Sequence, residues 1–275
     1  MWSWRSTIGV AAILASGCAF AADLPSHAEL APSATGPPAF TWTGLYVGAA
    51  LGAKWGDTTW TTTSLFDSNI PPTGVDASSP RNYDPSNVRG GGYLGYNWQF
   101  PSNWVGGVEA DLAYANMTVK TAGVPGCAIN CGTGQLGPEA DSSSVLLGWD
   151  ASARVRLGYS VTSSLLVYGT SGIAWQNVQT SATCQHSGPD PLCYVLAGNP
   201  FATATNTAIR TGWTIGAGFD TRIYGNWILR AEYRYSYFGA QNNSLNLSLP
   251  GDVTTVGNQL RVNTQIATVG LAYKF

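Results

Sequence analysis

Between Trp42 and Phe275 the chain repeatedly alternates apolar with polar or small residues at every second position, and this period limits what it can become. Successive side chains of a β-strand point to opposite faces, so the pattern predicts strands with two unlike faces. Eight such stretches can be traced. Leu45, Val47, Ala49 and Leu51 oppose Tyr46, Gly48, Ala50 and Lys54; Val88, Leu94, Tyr96 and Trp98 oppose Arg89, Tyr93 and Asn97. Trp104, Val108 and Leu112 oppose Glu109 and Asp111; Trp149, Ala153, Val155 and Leu157 oppose Asp150, Arg154 and Arg156. Leu165, Val167, Ile173 and Trp175 oppose Tyr168, Thr170 and Gln176; Trp213, Ile215 and Phe219 oppose Asp220 and Arg222. Trp227, Leu229, Tyr233 and Tyr235 oppose Arg230, Glu232 and Arg234, and Val269, Leu271, Tyr273 and Phe275 oppose Thr268 and Lys274.

Every charge in these stretches falls on the second face: Lys54, Arg89, Arg154, Arg156, Arg222, Arg230, Arg234 and Lys274 with Glu109, Asp111, Asp150, Asp220 and Glu232. A soluble sandwich also alternates, but it turns its apolar face inward and its charges to water. Composition opposes that arrangement. Charged residues are 10% of the chain, against about 25% in soluble domains, while aromatics reach 12% and glycines number 33. A formal net charge of −2 without a basic block excludes a nucleic-acid footprint. After residue 22 no run offers the roughly 18 apolar residues of a membrane-spanning helix. Strands then remain as the route into a bilayer, and only a closed barrel pairs every backbone group there.

The connections agree. Pro101-Ser102-Asn103, Ser160 to Ser163 and Tyr224-Gly225-Asn226 are short turns, whereas roughly residues 56–87, 118–144, 178–210 and 240–261 read as long loops. Short turns at one rim and long loops at the other mark an outer-membrane barrel. Aromatics gather at strand ends, among them Trp42, Trp98, Trp104, Trp149, Trp175, Trp213, Trp227 and Tyr235, the expected girdles at the two interfaces. The expected fold is an eight-stranded antiparallel up-and-down transmembrane barrel over residues 42–275. Both termini are then periplasmic, in the outer membrane of a Gram-negative cell.

Ahead of it, Arg5, the apolar run from Ile8 to Leu14 and Ala19-Phe20-Ala21 make residues 1–21 a secretory signal peptide. Cys18 offers a lipoprotein cleavage site as the alternative. Loss of Arg5 leaves twelve basic and fifteen acidic residues. Residues 22–41, rich in Pro, Ala and Ser and without a period, form a flexible periplasmic lead-in that carries His27.

A lumen of eight strands is just wide enough for side chains to fill it, so its charges must pair. The carboxylates are expected to share Arg154, Arg156, Arg222, Arg230 and Arg234. A narrow pore is the alternative, and its excess of three positive groups would favour anions. Cys127 and Cys131 in the second long loop, with Cys184 and Cys193 in the third, are expected as two local disulfides in an oxidising compartment. Zinc is the other option there, with His186 nearby. Neither His lies on an expected strand, so no catalytic, metal or cofactor site is assigned. The Glu109 and Asp111 pair is read as lumen charge.

The stretch Trp42-Thr-Gly-Leu-Tyr-Val-Gly, Gly91-Gly-Tyr-Leu-Gly-Tyr-Asn-Trp98, Tyr168-Gly-Thr-Ser-Gly-Ile-Ala-Trp175 and the ending Val269-Gly-Leu-Ala-Tyr-Lys-Phe275 resemble the alphaproteobacterial outer-membrane immunogenic proteins, relatives of opacity-like and OmpA-like barrels. The resemblance covers residues 42–275 and is weakest in the loops. It implies that Val269, Leu271, Tyr273 and Phe275 are read by the barrel-assembly machinery. The expected function is a structural and surface-antigen role that contributes to envelope integrity, among outer-membrane lipids and lipopolysaccharide. A small-solute pore, or an adhesin binding a host or surface ligand through its acidic loops, are the alternatives.

Overall fold

The alternating stretches form strands far longer than a bilayer needs. The computed structural model describes residues 40–68, 74–127, 141–184, 202–249 and 252–275. Its strands are β1 (Gly44–Asp67), β2 (Arg81–Tyr83), β3 (Ser86–Gln99), β4 (Trp104–Tyr114), β5 (Met117–Ala122), β6 (Ser142–Thr162), β7 (Leu165–Cys184), β8 (Ala202–Tyr224), β9 (Trp227–Leu249) and β10 (Asp252–Lys274). All neighbours pair antiparallel, and β10 closes onto β1 from Tyr46↔Lys274 to Asp67↔Thr254. Because β2 and β3 both pair with β1, and β4 and β5 both pair with β6, each couple is one interrupted wall strand. The wall therefore has eight strands. Its short turns include Asn103 and Gly225, both at positive φ.

A tilted strand crosses a bilayer in about 9–11 residues, yet β1 has 24 and β8, β9 and β10 have 23 each. The half next to the short turns carries an outward belt of exposed apolar side chains such as Leu51, Val88, Leu112, Val155, Ile215 and Val269. Beyond that belt the apolar phase inverts. On β10, Val269, Leu271 and Tyr273 face out, while Val256, Leu260 and Val262 are buried inside. On β7, Val167 and Ile173 face out while Val178 and Ala182 are buried. Trp60, Tyr83, Met117, Val145, Leu147, Phe238, Leu245 and Leu247 complete an apolar core within the far half.

Register shifts at Thr62/Ser64, Leu147/Asp150 and Arg261/Asn263 adjust the facing residues. At the third, Gly239 takes a φ of 71°, a conformation that glycine adopts without a Cβ penalty. The extra residue there turns Leu245 and Leu247 inward where Phe238 was the last inward position before it.

The far half differs from the expected loops. Most of 56–67, 142–144, 178–184, 202–210, 240–249 and 252–261 is strand. These segments are rich in Thr, Ser and Asn on their outward face, and their apolar residues are mostly buried inside. A period carried by polar residues outside and apolar ones inside has the same length and opposite phase.

The far half is also not a closed wall. β8 and β9 pair only from Tyr224↔Trp227 to Trp213↔Tyr237, and among the described residues no pairing joins β2 to β5. Two sheets, β9-β10-β1-β2 and β5-β6-β7-β8, thus enclose the apolar core as in a sandwich. Arg81 spans the second seam, donating to the carbonyls of Ala122 at 2.9 Å and Gly123 at 3.1 Å.

Candidate functional site

Inward positions within the belt alternate long charged side chains with tyrosines and glycines, so the lumen fills from the wall. Asp150 accepts from Lys54 at 2.7 Å and from Arg89 at 2.6 Å. Arg89 continues to Asp111 at 2.8 Å, which also takes Arg234 at 2.6 Å and the Ser152 hydroxyl. Arg154 joins Glu109 to Glu232. Glu109 further accepts from Arg230 and, at 2.7 Å, from the Tyr46 hydroxyl. Asp220 takes Arg230 at 2.8 Å and Arg156 at 2.9 Å. The groups form one connected chain across the barrel, since every carboxylate touches a guanidinium or ammonium that reaches another or shares its neighbour.

Three tyrosines are threaded through it. The Arg156 guanidinium lies 3.8 Å from the Tyr168 ring centre and that of Arg230 4.3 Å from Tyr93, distances at which a desolvated cation is attracted to the ring face. Tyr46 reaches Glu109 because Gly95 stands opposite it; a Cβ there would collide with the Tyr46 hydroxyl. The space left between Tyr93, Glu109, Arg154, Arg230 and Glu232 is a cavity of about 20 Å³, room for about one water.

Of the thirteen charges expected in the lumen, eleven are there. Arg222 and Lys274 are not: both sit at the short-turn mouth, where their cations lie 4.6 and 5.4 Å from the Phe40 ring centre. They share the inward phase but stand at strand ends, where the lumen opens to solvent. Arg222 donates to the Gly225 carbonyl rather than to a carboxylate. Lys54 and Arg89 take up the pairing expected of Arg222, and six cations against five carboxylates replace the expected excess of three.

Trp42 also departs from its expected place in the girdle. It is 1% exposed and inserts into the mouth among Tyr46, Tyr93, Val105, Leu166, Tyr168, Ile228 and Ala272. Its indole donates to the Ser160 hydroxyl at 3.0 Å, and its backbone N–H donates to Gln99 at 2.8 Å. Trp42 precedes β1, so the chain is free to fold it inward, and an indole N–H needs an acceptor when buried. Phe40 packs edge-on against it at 5.1 Å. Of the other girdle residues, Trp98, Trp104, Trp213 and Trp227 face out and are exposed, while Trp149, Trp175 and Tyr235 are half-buried on the outer surface. Trp104 packs on Tyr159, Trp213 on Tyr235, and Trp227 on Tyr273.

Cys127 and Cys184 are buried in the far-half core, and each is disulfide-bonded. Cys131 and Cys193 lie outside the described residues, as do Cys18, His27, His186 and the expected signal peptide. Among the described residues no cluster of His, Cys, Asp and Glu could hold a metal ion. Sequence reasoning missed Tyr46, Tyr93 and Tyr168 as lumen groups, although their inward phase was visible. It also missed Arg210 as an inward cation of the far half, because that segment read as loop.

A closed eight-stranded wall with an apolar outer belt, aromatic rims and a charged interior defines an outer-membrane β-barrel. The chain belongs to the outer membrane protein beta-barrel domain family, which it matches over residues 10–275. The 31 kDa outer-membrane immunogenic protein of Brucella melitensis is 31% identical over 269 residues, covering 97% of each chain. The 25 kDa outer-membrane immunogenic protein of Brucella abortus is 28% identical over 284 residues, with both chains covered in full. Among solved structures, the Escherichia coli outer membrane protease OmpT superposes with a TM-score of 0.50 at 12% identity, covering 87% of this chain and 99% of that one. That likeness concerns the fold alone.

Proposed function

We propose that this protein is a structural and surface-antigen barrel of the outer membrane whose lumen does not conduct solutes. The observation that carries the reading is the unbroken ion-pair chain from Lys54 to Asp220, with Trp42 below it and an apolar core beyond it. An unpaired charge in a dry interior is expensive, so such a lumen resists the separation that passage would require. The short-turn mouth and both termini face the periplasm, and the long strand extensions stand outside the cell. There they present a mostly uncharged surface of Thr, Ser, Asn and Gln in contact with lipopolysaccharide.

The C-terminal strand serves the barrel-assembly machinery: Val269, Leu271, Tyr273 and Phe275 all face outward and are exposed, as a recognition surface requires. Residues 1–21 act as the export signal. Cys127 pairs with Cys131 and Cys184 with Cys193, bracing the far end. The chain has no enzymatic role in this reading. Single-channel recording in planar bilayers tests it: closed or flickering traces are expected, and a steady large conductance overturns it.

A further inference from the structure

The seam between β8 and β9 has the features of a site for an added strand. Beyond Trp213 and Tyr237 the two strands run on for many residues, each paired, among the described residues, on its other side only, to β7 and to β10. Unpaired edges are ready templates for another strand, and proteins usually guard them with charge, Pro or short length. Among the described residues Arg210 is the one charge on this edge, and none of these guards is present beyond it. From Ala202 to Ile209 β8 reads Ala-Thr-Ala-Thr-Asn-Thr-Ala-Ile, and from Gly239 to Leu247 β9 also carries no charge and no Pro. The inward residues Asn206 and Ala208 at this edge are half-exposed, whereas Thr180 and Ala182 on the neighbouring β7 are buried.

Arg210 supplies a second, independent observation. It points inward from β8, beyond the Trp213 girdle, and is 1% exposed. Its guanidinium donates to the Leu260 carbonyl at 2.9 Å and lies 3.0 Å from the Asn243 side-chain amide, whose oxygen accepts from it once the amide is turned to satisfy both groups, while its Nε has no partner among the described residues. Every cation of the belt network meets a carboxylate; Arg210 meets none among the described residues. Burial alone pulls its pKa down to about 10, so it remains charged at neutral pH.

We propose that the seam receives an extended peptide segment of a partner protein, paired along the β8 edge, whose inward Asp or Glu neutralises Arg210. Cross-strand neighbours stand about 4.5–5.5 Å apart at Cβ, within reach of a carboxylate–guanidinium contact. Backbone pairing supplies the affinity in such strand addition, and pockets for alternate side chains supply the specificity. The inference goes beyond the structural role, and its test in purified protein is independent of whether the lumen conducts.

The probe is a fluorescent synthetic peptide alternating Thr and Val with one central Glu, compared with its Gln twin, titrated against the full chain in detergent micelles. Saturable binding is expected, about tenfold tighter for the Glu peptide, equivalent to roughly 1.4 kcal/mol. Arg210→Gln is expected to remove that preference. Thr205→Lys with Thr207→Lys places guards on exposed outward positions of the edge and is expected to abolish binding of both peptides while heat-modifiable gel mobility stays unchanged. Absence of binding to the unaltered chain, equal binding of the two peptides, or undiminished binding to the double-lysine variant overturns the proposal.

Discussion

Glu109→Gln tests the lumen at its most connected carboxylate. Glu109 accepts from Arg154, Arg230 and Tyr46, with Arg156 at 3.7 Å, and is 4% exposed. The amide keeps the shape but removes the charge, so three guanidinium groups face a neutral acceptor in a space with room for about one water. Breaking a buried pair by removing one partner costs about 3–5 kcal/mol, a factor of roughly 10²–10⁴ in the folding equilibrium. Tyr46→Phe removes one donor to the same carboxylate and is expected to cost less, about 1.5–3 kcal/mol for a hydrogen bond to a charged group. Adding Arg230→Met to Glu109→Gln is expected to recover part of the loss, because it removes one of the orphaned cations. Reversible urea unfolding in lipid vesicles, followed by tryptophan fluorescence, measures all four proteins. A loss below about 1 kcal/mol for Glu109→Gln, the range of exposed ion pairs, would mean that the lumen charges are solvated, and the closed-lumen reasoning fails.

Further outcomes follow from the two ends of the barrel. Trp42→Ala empties the mouth and is expected to cost about 3–5 kcal/mol and to raise flickering conductance; unchanged stability would place Trp42 outside the mouth in solution. Trp60→Ala in the far-half core is expected to increase hydrogen exchange and proteolysis of β1 and β10 beyond the belt while the belt amides stay protected; uniform deprotection would contradict two separately packed layers. Arg222→Ala, which loses a cation–ring contact with Phe40 and an exposed hydrogen bond to the Gly225 carbonyl at the mouth, is expected to shift stability by no more than about 1–2 kcal/mol, against the larger loss at Arg230. Non-reducing peptide mapping is expected to recover Cys127 with Cys131 and Cys184 with Cys193, and free thiols at these positions would refute the pairing.

The two-residue period and the sorting of charge onto one face were legible because both are local: the strand count, the outward belt and the inward place of eleven charges follow from parity alone. Parity failed where a side chain's surroundings depend on height along the barrel. Arg222 and Lys274 have the lumen phase of Arg230 and Arg234, yet they stand at the mouth, and nothing in their neighbours along the chain marks that boundary. Trp42 and Trp98 are both tryptophans at strand ends; one turns inward because it precedes its strand and finds the Ser160 hydroxyl, the other stays on the rim. The polar far segments misled for a related reason. Their apolar residues occupy the inner phase, and a reading keyed to outward apolar residues took strand for loop.

Ion-pair partners, the far-half core and the seam are decided by the tertiary structure. Glu109 and Arg230 are separated by more than a hundred residues and meet across the lumen, a contact set by closure and register. The seam exists because β8 and β9 diverge after Trp213 and Tyr237 while each keeps its outer partner. Alternation assigns a face to each side chain; only the paired register assigns its neighbour.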